Sequence, residues 1–136
     1  MSEIKAEIAL LQEININNKD NITFKHYNFI KKGRKNKPGG GVGILLNKKY
    51  NYQEIKIKNT SPLEIIGIKT FINKKEYNIF SLYIPPRSKR VNINIMNKKY
   101  KMIIEEIEKY ENVIIGGDFN SHTKHGEVKK QMPLAK

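Results

Sequence analysis

The sequence predicts an α/β domain, and three observations predict it. Short β-branched and aromatic runs recur between Gly, Pro and Asn turns from Ile8 to Tyr83. One stretch, Asn92 to Tyr110, carries apolar residues at helical spacing. A further β-branched run, Val113 to Ile115, follows it. The 136 residues suffice for one domain with a modest core. There is no run of about 18 apolar residues and no apolar signal core near Met1, so no membrane partner is expected. The absence of cysteine excludes disulfides and thiolate metal sites and fits an intracellular place.

Taken in order, Ile8 to Leu11 is a short apolar run expected as a buried strand, with Gln12 and Glu13 at its end. A carboxylate there is costly unless solvated, paired or on a metal. Ile22 to Ile30 alternates loosely and is expected as a strand. Lys31 to Lys37 has five basic side chains in seven positions and runs into Pro38-Gly39-Gly40-Gly41, the composition of a loop. The glycines lack the lysine and hydroxyl spacing of a nucleotide-binding P-loop. Strands are expected from Gly41 to Leu46 and from Tyr52 to Ile57.

Leu63 to Phe71 and Glu76 to Tyr83 read as a hairpin around Asn73-Lys74-Lys75, with Ile66 and Ile68 on one face of the first strand and Ile65 on the other. Pro85 and Pro86 end the second strand and leave Tyr83 at its tip. In the helix, Met96, Tyr100, Ile103, Ile104, Ile107 and Tyr110 share a face, and Glu105 and Lys109 are spaced as an i,i+4 pair. Val113 to Ile115 then enters Gly116-Gly117-Asp118-Phe119-Asn120-Ser121-His122. The glycines allow a sharp turn and a close approach, and a two-residue spacing lets Asp118 and Asn120 point the same way. Residues 127–136 have no periodicity and are expected as an unstructured tail to a domain over residues 1–126.

The net charge of +13 and pI near 9.8 point to a polyanionic partner, with the basic loop at Lys31 to Lys37 as a place to meet a phosphate backbone. The 23 lysines outnumber 3 arginines, and Lys, Ile and Asn make 61 residues, so A/T-rich coding accounts for part of that charge.

Four separated pieces carry a family signal: Leu10-Leu11-Gln12-Glu13, Gly39-Gly40-Gly41-Val42-Gly43-Ile44, Leu82-Tyr83-Ile84-Pro85-Pro86, and Gly116 to His122. In this order they resemble the endonuclease/exonuclease/phosphatase superfamily. Within it they look most like the endonuclease domain of non-LTR retrotransposon polyproteins of the jockey type. The resemblance implies a four-layer α/β sandwich, two packed and mostly antiparallel sheets flanked by helices. It implies a DNA-nicking phosphodiesterase dependent on Mg²⁺, or Mn²⁺ in its place, that leaves a 3′-hydroxyl to prime reverse transcription. DNA is then the partner, nuclear access is expected, and the parent polyprotein carries a reverse transcriptase. Matched by position, Glu13 is the metal-binding glutamate and Tyr83 the tyrosine near the scissile phosphate. Asp118 orients the attacking water, Asn120 helps hold that aspartate and the phosphate, and His122 is a histidine common after the motif in this branch.

The family also has an asparagine-bearing first strand and a terminal Ser-Asp-His type segment with its catalytic histidine; neither is found here, and His26, His122 and His125 lie in other contexts. The expectation is a partial copy, cut at both ends and inactive or nearly so as this fragment. Two alternatives stand beside it. One is a basic nucleic-acid-binding remnant without chemistry. The other is a phosphodiesterase or phosphatase of the same superfamily acting on lipid or inositol phosphates. The triple glycine and the histidine after Gly117-Asp118-Phe119-Asn120 favour the retroelement branch over the latter.

Overall fold

Alternation along the strands decides how the layers stack. The computed structural model describes residues 7–12, 14, 23–33, 41–86 and 92–118, the last of these by its backbone alone. Eight elements follow in order: β1 (Ile8–Gln12), β2 (Tyr27–Lys32), β3 (Val42–Asn47), β4 (Tyr52–Ile55), β5 (Glu64–Ile72), β6 (Lys75–Tyr83), α1 (Ile93–Ile107) and β7 (Val113–Asp118). They form a three-stranded sheet, β1-β3-β2, and a four-stranded sheet, β4-β5-β6-β7. All pairings are antiparallel except β6 with β7, which α1 connects as a parallel crossover.

In β5, Ile66 and Ile68 face the other sheet while Ile65 faces α1, as the period of two requires. Between the sheets, Val42, Ile44, Leu46 and Ile30 meet Ile66, Ile68, Ile79 and Tyr83. On the far side of the larger sheet, Ile65, Phe80, Leu82 and Ile115 meet Met96, Ile103 and Ile107 of the helix. Among the described residues the layers are therefore sheet, sheet and helix, a partial form of the expected sandwich.

Several boundaries differ from expectation for visible reasons. The strand expected from Ile22 begins at Tyr27 and runs on through Lys31 and Lys32, because its partner β3 offers Asn47 to Val42 as the ladder. Past Ile55 the chain leaves the sheet, although Ile57 still packs on the helix-side core. Asn73 and Lys74 both have positive φ, 53° and 69°, between the paired Ile72 and Lys75, which makes a two-residue hairpin turn of the twist-matching kind. The helix is shorter than its apolar stripe: Asn92 caps it, its side chain accepting from the N–H groups of Asn94 and Ile95, and Tyr110 lies beyond its end, against Phe80. Lys109 pairs with Glu106 at 3.0 Å rather than with Glu105. The expected tail, residues 127–136, lies outside the described residues.

The parallel placement of β7 has a polar anchor. Asn78 on β6 is fully buried; its Nδ2 donates to the Glu111 carbonyl at 2.7 Å and to Glu76 Oε2 at 3.1 Å. Its N–H donates to the Asn112 carbonyl at 3.0 Å, and Asn112 Nδ2 returns a bond to the Glu76 carbonyl at 3.0 Å. The turn before β7 is thereby fixed onto the start of β6, and this sets the register of everything downstream.

Candidate active site at one rim of the sandwich

That register brings two of the expected site residues together. In the β6–β7 ladder Tyr83 stands opposite Asp118, each at the C-terminal end of its strand. Adjacent strands lie about 4.8 Å apart, so two residues separated by 35 positions become lateral neighbours. The row extends one strand further, because Glu64 at the start of β5 stands opposite Tyr83. Glu64, Tyr83 and Asp118 thus hold one register line across three strands. The Tyr83 side chain is 6% exposed and packs with the inter-sheet core.

The smaller sheet reaches the same rim. β1 ends where Gln12 pairs with Val42, and two hydrogen bonds bind it to β6. Gln12 Nε2 donates to Ser81 Oγ at 2.9 Å, and Ser81 Oγ donates to the Leu11 carbonyl at 2.8 Å. Ser81 is fully buried and lies two residues before Tyr83. A second tie runs from Gly41 N–H to Glu64 Oε1 at 2.7 Å. Gly41 has φ +94°, a conformation that favours glycine, and it is the last residue of the triple-glycine motif.

The glycines of the last motif act differently from the expected turn. β7 continues as regular strand through Gly116 and Gly117 to Asp118. A Cβ on Gly116 would come within 2.5 Å of Leu10 Cδ1 and 3.1 Å of Leu10 Cβ. Gly116 is needed because β1 crosses closely over β7, so of the two expected roles, close approach is the one realised.

Glu13, Asn120 and His122 lie outside the described residues, and Asp118 is described by its backbone alone. Among the described residues no group of three His, Asp or Glu side chains gathers in a metal-binding cluster. No helix among them is long and apolar enough to cross a membrane. Sequence reasoning missed Glu64 and Ser81. Each has a signal in retrospect: Glu64 is a carboxylate directly before the apolar run Ile65 to Ile68, and Ser81 is a hydroxyl inside the run Ile79 to Ile84.

No family model and no curated protein matches the chain. Solved structures do. A humanized D. rerio TDP2 carrying 14 mutations aligns with TM-score 0.64 at 13% identity, over 92% of this chain and 56% of that one. D. rerio TDP2 complexed with a single-strand DNA product aligns with TM-score 0.62 at 13% identity, over 94% of this chain and 53% of that one. These alignments show the fold, and it is the partial two-sheet sandwich expected from the motifs. The chain spans about half the length of these structures.

Proposed function

We propose that this chain is the part of a DNA phosphodiesterase that carries the Glu13, Tyr83 and Asp118 side of the active site. The observation that carries the reading is the pairing of Tyr83 with Asp118 at the ends of parallel strands, beside the β1 end that leads into Glu13. The motif order supports the retrotransposon endonuclease as the specific kind, and the single-strand DNA product bound by one TDP2 structure supports DNA as the substrate class.

The chemistry asked of these residues is hydrolysis of a phosphodiester. The oxygen of a water attacks phosphorus and the bond to the 3′-oxygen breaks. That oxygen leaves as a hydroxyl once protonated, and the phosphate stays on the 5′ side. Asp118 accepts a hydrogen bond from the attacking water and orients it. The Tyr83 hydroxyl and the Asn120 amide donate to phosphoryl oxygens, where charge builds in the transition state. His122, two residues after Asn120 in the same motif, is assigned as a further donor. The donors brought to this rim are oxygens, a set suited to a hard divalent cation, and Glu13 would hold Mg²⁺ or Mn²⁺ with waters completing its coordination. When bound, such an ion neutralises phosphoryl charge.

Nicking of supercoiled plasmid with Mg²⁺ tests the reading. The expected result is at most slow, metal-dependent nicking that leaves 3′-hydroxyl ends, lost in Asp118→Ala and lowered in Tyr83→Phe. Nicking that survives Asp118→Ala unchanged overturns it. DNA affinity that persists in Glu13→Ala/Asp118→Ala, with no cleavage by the unaltered chain, favours the alternative of a non-enzymatic nucleic-acid-binding module, as does the net charge of +13.

A further inference from the structure

A groove of about 670 Å³ flanks the rim just described, between the end of β2 and the chain that leaves β4. Lys31 and Lys32 form one wall, and Lys56 and Lys58 line the other. Ile65 and Ile66 of β5, directly after Glu64, also line it. The lysine pair on the second wall is presented by a strict alternation. Ile55 is buried and Ile57 packs on the helix-side core, while Lys56 and Lys58 are exposed. The backbone beneath them is fastened. Lys99 Nζ of α1 donates to the Asn59 carbonyl at 2.6 Å, Leu63 N–H donates to the Thr60 carbonyl at 2.9 Å, and Thr60 is buried. One carboxylate, Glu54, also lines the groove, against four lysines.

The groove opens at the same end of the sandwich as Tyr83 and Asp118. Lys32 pairs with Val42, Val42 pairs with Gln12, and the Gly41 to Glu64 bond spans the sheets between them. Walking across the larger sheet at this rim therefore passes Asp118, Tyr83, Glu64 and then the groove. Four lysines against one carboxylate suit a sugar–phosphate strand, whose phosphates meet the ammonium groups. A pocket of this volume is also within the range that admits one or two nucleotide units.

We infer that this groove holds the backbone of a nucleic-acid strand to one side of the scissile position, with Lys56 and Lys58 as its phosphate contacts. The inference rests on the DNA-processing reading for the nature of the partner, and its test is run without a divalent cation so that binding and cleavage are separate results.

The experiment is a titration of a labelled single-stranded oligonucleotide, read by fluorescence anisotropy over a range of salt, with the intact chain and two double variants. Lys56→Ala/Lys58→Ala removes the groove wall. Lys48→Ala/Lys49→Ala removes the same charge from the exposed turn after β3, at the opposite end of the sandwich. The groove variant is expected to bind roughly tenfold or more weakly at moderate salt, with the slope of log K against log salt smaller by about 1.4, or about 0.7 for each lost contact. The distal variant should keep the wild-type slope. Equal loss in both variants would mean that net charge alone binds DNA, and would overturn the inference, as would an unchanged slope in the groove variant. Equally tight, Lys56- and Lys58-dependent binding of a polyglutamate peptide would overturn it too, since the groove would then select negative charge rather than a nucleic-acid strand. Failure of plasmid nicking leaves the binding result untouched, so the groove stands or falls on the slope alone.

Discussion

Substituting Gly116 by alanine probes the contact on which the rim depends. The new methyl meets Leu10 at 2.5 Å from Cδ1, 3.1 Å from Cβ and 3.3 Å from Cγ. A rotamer change could move Cδ1, but the Cβ of Leu10 travels only with the backbone of β1. Overpacking of this kind costs about 1–3 kcal/mol. The lower conformational freedom of alanine in the unfolded chain returns about 0.5–1 kcal/mol. The expected net loss is between about 0 and 2.5 kcal/mol, with its middle at about 1, read in urea as a lower midpoint at an unchanged slope. The partner supplies the control. Leu10→Ala alone removes half-buried apolar surface and destabilises, yet in the Gly116→Ala background it should do so by at least about 0.5 kcal/mol less, because it also relieves the clash. A stabilising Gly116→Ala, or a double variant whose loss is the plain sum of the singles, would refute the argument that β1 crosses β7 at this glycine. The contact lies two residues before Asp118 and three before Glu13, so the same displacement should lower nicking by the chain more than stability alone requires.

Three further substitutions test the ties around the rim. Ser81→Ala removes a buried hydroxyl that accepts from Gln12 and donates to Leu11, and should cost about 1–3 kcal/mol in chemical denaturation, with faster amide exchange in β1 than in β4. Asn78→Ala leaves the Glu111 carbonyl without its side-chain donor and should cost about 1–3 kcal/mol, with loosened exchange concentrated at the start of β7. Phe80→Ala empties the centre of the helix-side core, where the ring fills the space over Gly67 and lies 5.8 Å from Tyr110, and should cost about 3–5 kcal/mol by the same denaturation assay.

What could be read from the sequence follows a physical line. Features set within a few residues of one another were legible. The alternation of Ile65 against Ile66 and Ile68, the hairpin around Asn73 and Lys74, and the Met96, Ile103, Ile107 stripe all depend on local period or local φ. Features set by a partner distant in sequence were not. Gly116 and Gly117 read as a turn or a close approach, but nothing nearby announces that Leu10 is what lies against Gly116, and the bonds of Ser81 to β1 join residues 69 and 70 positions apart. The order of strands in each sheet is likewise invisible to periodicity, and so is the parallel β6–β7 pairing that Asn78 secures through the turn before β7.

The site shows how the two kinds of information combine. Tyr83 and Asp118 were each placed at a strand end by local signals, the prolines in one case and the glycine pair in the other, but strand ends on opposite rims would have served no chemistry. It is the parallel register, with Tyr83 against Asp118, that turns two local signals into one location. Glu64 enters by the same route: its carboxylate is unremarkable in the chain, and only its register opposite Tyr83, with its bond to Gly41 N–H, makes it part of the rim. That bond fixes the backbone one residue before β3 begins. Glu64 therefore ties the start of β5 to the residue before β3, on the side of Tyr83 where the lysine groove begins.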